Sequence, residues 1–529
     1  MKMKAINKIK YIGLACCLSF ASCNDYLDIN VNPNSPTYVQ PDLILPGAIN
    51  TAAAYQVSYS TYGGNVVGYI ANAGGFSGFG NLLTYDYVAG TGSQWGSYSN
   101  LLDLKYVIDG SAENPELVNF KAAAEVMSVY QFHKLVDQHN DIPYEEALQG
   151  KANYAPKYSE ASSIYVDLLR RLNEAITLFD GESQTVKKLN ASSDPLFKGD
   201  IDQWKKFANT LKLRLLIRIS AVDALKAKVT EEFGKMDMTL GFLTKDAINN
   251  PGYVKDRPNP TWSSWGYSTA GNPVPTSRVP SFFIYGFYDG NKIDDSWRGK
   301  VIYNDFGVTT RPTPLNQLGN ETGNPPVRSG YSTWYTGVRS SASSITDALG
   351  VVKGPTQGQP MMLAAESYFL QAEAFLKGYL TGNMTTAFEN GIKASFNYLY
   401  LDVNGALAAG KNVATDFAAY KAANAASYLV DISKAGTDAQ KLEAIITQKY
   451  IAMNMITGEE AWNDYRRTGY PKTTPGGSKY VDMASVTSNS PRPDKLPTMI
   501  KYPTSEYNYN AANTKEINHF ADQIFWAKK

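Results

Sequence analysis

The sequence predicts a predominantly α-helical fold of stacked helical hairpins, with long irregular loops set between them. Three observations predict it. Several long runs carry apolar residues every three to four positions, small residues fall where paired helices would cross, and a central stretch rich in Pro, Gly, Asn, Ser and Thr shows neither period.

In chain order, the first element is a leader. Lys2, Lys4, Lys8 and Lys10 precede an apolar or small run from Tyr11 to Ala21, with no acid among them. The run is too short to span a bilayer as a helix, which takes about 20 apolar residues, and the basic-then-apolar order marks a secretory signal. All the cysteines lie here: Cys16, Cys17 and Cys23. Ala21 and Ser22 ahead of Cys23 give the order a lipoprotein signal peptidase accepts. Residues 1–22 are therefore expected to be removed and Cys23 lipidated; cleavage at Cys17 would cut the apolar run in half. Acyl chains on one cysteine hold a protein on a membrane without a transmembrane helix. With a single thiol left, the mature chain forms no internal disulfide and must be stabilised by its core. From Cys23 to Pro46 the prolines Pro33, Pro36, Pro41 and Pro46 suggest a tether, leaving 47–529 as one domain.

Helical hairpins are expected over about 115–245 and 361–470. The first region holds a run from Leu117 to Val136 (Phe120, Ala124, Met127, Leu135), a second with Ile164, Leu168, Leu172, Ala175 and Phe179 in which Ser159 is placed to cap, and a third with Trp204, Phe207, Leu211 and Leu215. Residues 249–360 read as a loop-rich insert, where binding functions concentrate. Periodicity then returns with Ala365, Phe369, Ala372 and Leu376, breaks at Gly382 and Asn383, and resumes with Phe388, Ile392, Phe396 and Leu399. Two such helices with alanines at the crossing form a hairpin of tetratricopeptide type, which must stack to bury its faces. The run "AQKLEAIITQKYIAMNMITGEEAWNDYRRTGYP" supplies one more hairpin.

The formal charge is +1, falling to −3 without the leader lysines, which argues against nucleic acid. Tyr (36) and Trp (8) together outnumber Phe (21) twofold, favouring rings with a wet edge. Trp95 and Tyr98 lie in "GSQWGSY", Trp262 and Trp265 in "NPTWSSWGYS", and Tyr331, Trp334 and Tyr335 in "RSGYSTWYTGV". These seven are the candidate ligand-binding residues, since flat rings stack on sugars or accept peptide side chains. The competing reading is that they plug gaps under long loops.

Catalytic patterns are absent from the sequence. His133, His139 and His519 form no zinc or triad motif, so no cofactor and no metal is expected. "DGNKIDD" lacks the alternating acids and distal Glu of a calcium loop. A glycosidase needs two carboxylates about 5–10 Å apart, but the adjacent Glu145/Glu146 and Glu459/Glu460 point apart on a helix and suit helix-end charge and solvation. Arg214 and Arg218, four apart on an apolar helix, suit pairing with buried acids, and Arg466 and Arg467 read as structural.

The segments "NDYLDINVNPNSPT", "DQHNDIPYEEALQG", "WKKFANTLKLRLLIRIS", "AESYFLQAEAFLKG", "EEAWNDYRRTGYP" and "YPTSEYNYN" come in an order that resembles the SusD/RagB family of outer-membrane nutrient-binding lipoproteins, over nearly the whole mature chain. The resemblance is closest to the branch ending in Tyr502, Pro503, Glu506 and Asn510. It implies about four tetratricopeptide-like hairpins, irregular ligand loops, and a non-enzymatic lipoprotein on the cell surface. It also implies delivery of an oligosaccharide or oligopeptide to a SusC-like TonB-dependent transporter. Asn140 stands where the family commonly has Gly, and Asn tolerates the left-handed backbone. The alternatives are a structural or adhesive surface protein that binds only protein partners, and a surface glycoside hydrolase.

Overall fold

The structure is a computed structural model that describes residues 39–72, 80–112, 114–180, 186–274, 278–308, 313–320, 332–339, 345–346 and 348–528. Cys23, most of the expected tether and Tyr331 lie outside the described residues. The main helices are α1 (Pro41–Val66), α2 (Ser97–Ala112), α3 (Val118–His139), α4 (Ala161–Asp180), α5 (Ile201–Ile219), α6 (Ala364–Leu376), α7 (Met384–Tyr400), α8 (Val413–Ala423), α9 (Asp438–Ala452), α10 (Gly458–Thr468) and α11 (Thr504–Tyr509). The β structure described is four two-stranded antiparallel pairings: 70–72 with 278–280, 142–143 with 158–159, 247–249 with 359–362, and 338–339 with 345–346. Among the described residues no helix is long and apolar enough to cross a membrane.

Consecutive helices pack on one another from α1 through α5, and α6 joins the array by packing on α5, α7 and α9. The fold is the predicted one, mostly helical. Its core has two large clusters, and α6 divides them: Ala365, Phe369 and Ala372 face the cluster with α7 and α9, while Leu370 and Ala374 face the cluster with α3, α4 and α5. All five predicted apolar positions of α4 are buried, as are the four of α5. Asp200 caps α5 and Asn383 caps α7, each accepting from a backbone N–H two or three positions inside the helix.

Local signals fail where a distant residue supplies the partner. Ser159 does not cap α4; it lies in a strand, and the Asp141 carboxylate accepts from Ala161 N at 3.0 Å instead. The tether ends sooner than its prolines suggest. Pro41 occupies the first turn of α1, where its missing N–H is no loss, and the helix runs on through Pro46 because Leu45, Ala48 and Ile49 bury one face. Helix α10 leaves its expected partner α9 and lies chiefly along α1. There Gly63 and Gly458 let the backbones touch: a Cβ on Gly63 would meet Glu459 N at 2.4 Å. Asn140 adopts the positive φ (67°) expected of it.

Between α3, α5, α6, α9 and α10 runs a buried ionic seam. Six acids (Asp137, Glu366, Glu373, Glu459, Glu460, Asp464) balance six bases (Lys134, Arg214, Arg218, Lys449, Arg466, Arg467), all nearly inaccessible. Arg214 grips Glu366 bidentately at 2.8 Å, Arg218 bridges Asp137 and Glu460, Lys134 meets Glu459 at 2.5 Å, and Arg467 spans Glu373 and Asp464. The arginines thus pair with buried acids as the sequence suggested. Glu459 and Glu460 are not solvated helix-end charges, however; α10 turns them inward to these cations. Arg466 instead donates to the carbonyls of Asp137 and Thr498; charges taken from water need such partners, since a lone buried ion is strongly destabilising.

Candidate ligand-binding site

Three of the predicted rings are not on open loops. Trp262 (6 % exposed), Trp265 (2 %) and Trp334 (2 %) belong to the core cluster that the insert builds with α7 and α9. Trp265 meets Trp334 edge-on at 5.5 Å, and Trp334 lies 5.7 Å from Tyr303. The insert is not structureless: a short helix at Pro260–Trp265 carries Trp262 and Trp265, and Trp334 forms a β-bridge with Tyr303 just after a second at Ser296–Ile302. Asn259 accepts from Trp262 N at 2.8 Å while its amide donates to Gly354 O and Gln357 O. Tyr335 is half-buried against the same cluster. A ring with no free face offers cargo nothing to stack on, so the expectation of wet tryptophans in the insert is corrected. "DGNKIDD" closes a tight turn in which the Asp295 carboxylate is taken by Arg298, its buried ion-pair partner.

Trp95 and Tyr98 remain accessible. They stand half-buried at the start of α2, ring centroids 5.0 Å apart. The loop that presents them is held at its base: Gln94 N donates to Gln138 Oε1 (3.1 Å), and Gly92, at φ 75°, sits against the Tyr62 ring where a Cβ would come within 2.1 Å. Ser93 Oγ lies 3.0 Å from His139 Nε2, and His139 Nδ1 lies 3.0 Å from Ile500 O. A carbonyl only accepts, so Nδ1 carries the proton and Nε2 accepts from Ser93. Burial lowers this imidazole's pKa to about 3, so it is neutral at ordinary pH.

The C-terminal "YP-E-N" residues converge on these rings. Glu506 accepts from Trp95 Nε1 (3.2 Å) through one oxygen and from the Tyr158 hydroxyl (2.8 Å) through the other. Asn510 donates to Pro156 O at 2.9 Å, tying α11 to the loop before Tyr158. Tyr502 meets Trp95 (5.7 Å) and Tyr158 (4.9 Å) edge-on, and its hydroxyl donates to Asp141 O (2.6 Å). From this ledge the segments run out to Tyr154 (75 % exposed) and Tyr509 (81 %). On the other side Tyr98 leads through Phe132 to Tyr144, which with Glu145 and Arg171 lines an open cleft of about 290 Å³.

The polar groups of the ledge are held within the protein. Glu506 is engaged by three donors, His139 has both nitrogens engaged, and Arg171 is paired with Glu125 at 2.6 Å. The His133, Asp137 and Glu460 side chains converge within 4.8 Å like metal ligands, but Arg214 and Arg218 already bond that centre. Of the seven predicted rings, Trp95 and Tyr98 are the pair the structure leaves half-open at the ledge, beside Tyr502 and Glu506 of the C-terminal motif that carried only the family resemblance. Tyr158, His139 and the exposed Tyr154 and Tyr509 also gather here, and no local pattern distinguishes them from other aromatic residues.

Comparison with known proteins agrees with this architecture. Residues 33–261 match a family model described as starch-binding associating with outer membrane, and residues 320–523 match that of the SusD and RagB outer membrane lipoproteins. A SusD homolog from Bacteroides uniformis ATCC 8492 superposes with a TM-score of 0.66 at 24 % identity, covering 92 % of this chain and 99 % of its own. A SusD-like protein from Bacteroides thetaiotaomicron VPI-5482 gives 0.65 at 21 %, covering 91 % and 99 %. A structure described as a chitin-binding protein gives 0.63 at 21 %, covering 93 % and 100 %. No curated protein sequence matches. Two family models that together cover most of the chain, with a shared fold over about nine-tenths of its length, lead to one assignment: the chain belongs to the SusD/RagB family of outer-membrane lipoproteins.

Proposed function

We infer that the protein is a cell-surface binding lipoprotein, anchored through Cys23, that captures oligosaccharides and passes them to a SusC-like TonB-dependent transporter without altering them. The observation that carries the reading is the aromatic ledge of Trp95 and Tyr98 beside an open cleft, ending in exposed tyrosines, with its acid and imidazole committed to holding rings in place. Rings of this kind stack on the apolar faces of sugars, while nearby amides and hydroxyls orient them. The starch-binding description of one family model and the chitin-binding relative favour glycan over peptide cargo.

Isothermal calorimetry with chito-, malto-, xylo- and manno-oligosaccharides tests the reading. At least one series should bind wild type, and Trp95→Ala should weaken binding at the ledge by about 2 kcal/mol while the melting temperature changes little. Binding only to peptides, or cleavage of the bound sugar on incubation, would overturn it. Cys23→Ala should move the protein from membrane to soluble fractions, and the membrane-bound form should co-purify with a large β-barrel.

A further inference from the structure

A second cavity, about 520 Å³, lies away from the ledge, between the segment at Thr244–Ile248 and helices α6 and α7. Its floor is apolar, with Ile248 and Ala394, and Tyr368 lends a half-buried ring. Asn390 and Asn397 are seven residues apart on α7, so they fall on one face two turns, or about 10 Å, apart. Among the described residues, neither amide and not the Tyr368 hydroxyl has a hydrogen-bond partner within the chain. Asp246 accepts from Ala364 N (2.8 Å) through one carboxylate oxygen, and the other has no partner. Lys245 and Lys393 border the cavity, the second paired with Glu389 at 3.7 Å.

Asn390 is half-buried and Asn397 exposed, so both amides are open to a ligand along the groove. Each offers a donor and an acceptor side by side, the match for two neighbouring hydroxyls, and the free carboxylate oxygen accepts one more. A phosphate would face Asp246 and leave the amide oxygens unmatched. We propose that this groove is a second saccharide-binding site, holding one or two sugar units through Asn390, Asn397 and Asp246 with Tyr368 against the sugar ring. The ligand class rests on the glycan reading above, but the site does not depend on the ledge. A second contact on the same chain would raise the retention of a long glycan by effective concentration.

The same oligosaccharide panel separates the two sites. Wild type should bind two equivalents of a short sugar, and Asn390→Ala/Asn397→Ala should weaken one of them about tenfold or more with an unchanged melting temperature, since no bond within the protein is lost. Trp95→Ala should weaken the other equivalent only. One equivalent in wild type that weakens in Trp95→Ala, or an isotherm of the double variant identical to wild type for every sugar, overturns the second site. Binding that survives Trp95→Ala but is lost in the double variant supports this groove and overturns the ledge. Tyr368→Phe, which removes only the hydroxyl, should weaken the same equivalent less than the asparagine pair.

Discussion

Trp95 and Trp334 sit in similar company, each on a loop of glycine, serine and tyrosine, yet they end in opposite environments. Trp95 is half-open, its indole N–H given to Glu506. Trp334 is enclosed by Trp265 and Tyr303 in the larger core cluster. The difference lies in what stands behind each loop. The insert faces the apolar sides of α7 and α9, which need covering, so its rings are drawn in by the hydrophobic effect. The loop before α2 rests on Gln138 and His139, polar groups that hold it by hydrogen bonds and leave the ring edge outside.

This contrast can be broken by experiment. The largest effect should come from Trp334→Ala, which empties a core position and should destabilise by about 3–5 kcal/mol in denaturant unfolding. A variant that melts like wild type but loses sugar would make the insert a binding surface after all. Next comes the dryness of the insert itself. Lys353, buried and donating to the carbonyls of Tyr398 and Leu401 at the end of α7, has its pKa lowered by burial from 10.5 to about 7. Between those values the unfolded chain holds a proton that the folded chain lacks, so stability should rise with pH from about 7 to 10, by up to about 1.4 kcal/mol per unit from this group. Lys353→Met should flatten that slope in melting curves at pH 7 and pH 9, and an unchanged slope would mean the amine is solvated.

On the open side the expected effects move from stability to binding. Trp95→Ala should cost about 2 kcal/mol of glycan affinity and no more than about 1 kcal/mol of stability. Equal losses in both would make the ledge a second core. Smallest of all, Tyr509→Ala should change stability by less than about 0.5 kcal/mol, and any loss of affinity would show that cargo reaches the exposed end of α11.

Much of the fold was legible in advance. The apolar spacing of Ile164 to Phe179 and of Trp204 to Leu215 requires helices with one buried face, and the alanines of α6 mark where α7 crosses. The buried pairing of Arg214 and Arg218 was legible too, because a charge on an apolar helix face needs a partner. The acids that answer them were not: Glu460 lies 242 residues from Arg218, and nothing local distinguishes it from a solvated glutamate. The same holds for Asp141 capping α4 and Glu506 holding Trp95, the latter across 411 residues.

By itself the sequence determined periodicity, the helical elements that follow from it, and the family the ordered motifs point to. Which tryptophans are wet, which glutamates are buried and where two unpaired asparagines border a cavity were decided only by tertiary structure. A side chain's solvation is set by what packs opposite it, and that neighbour is usually hundreds of residues away.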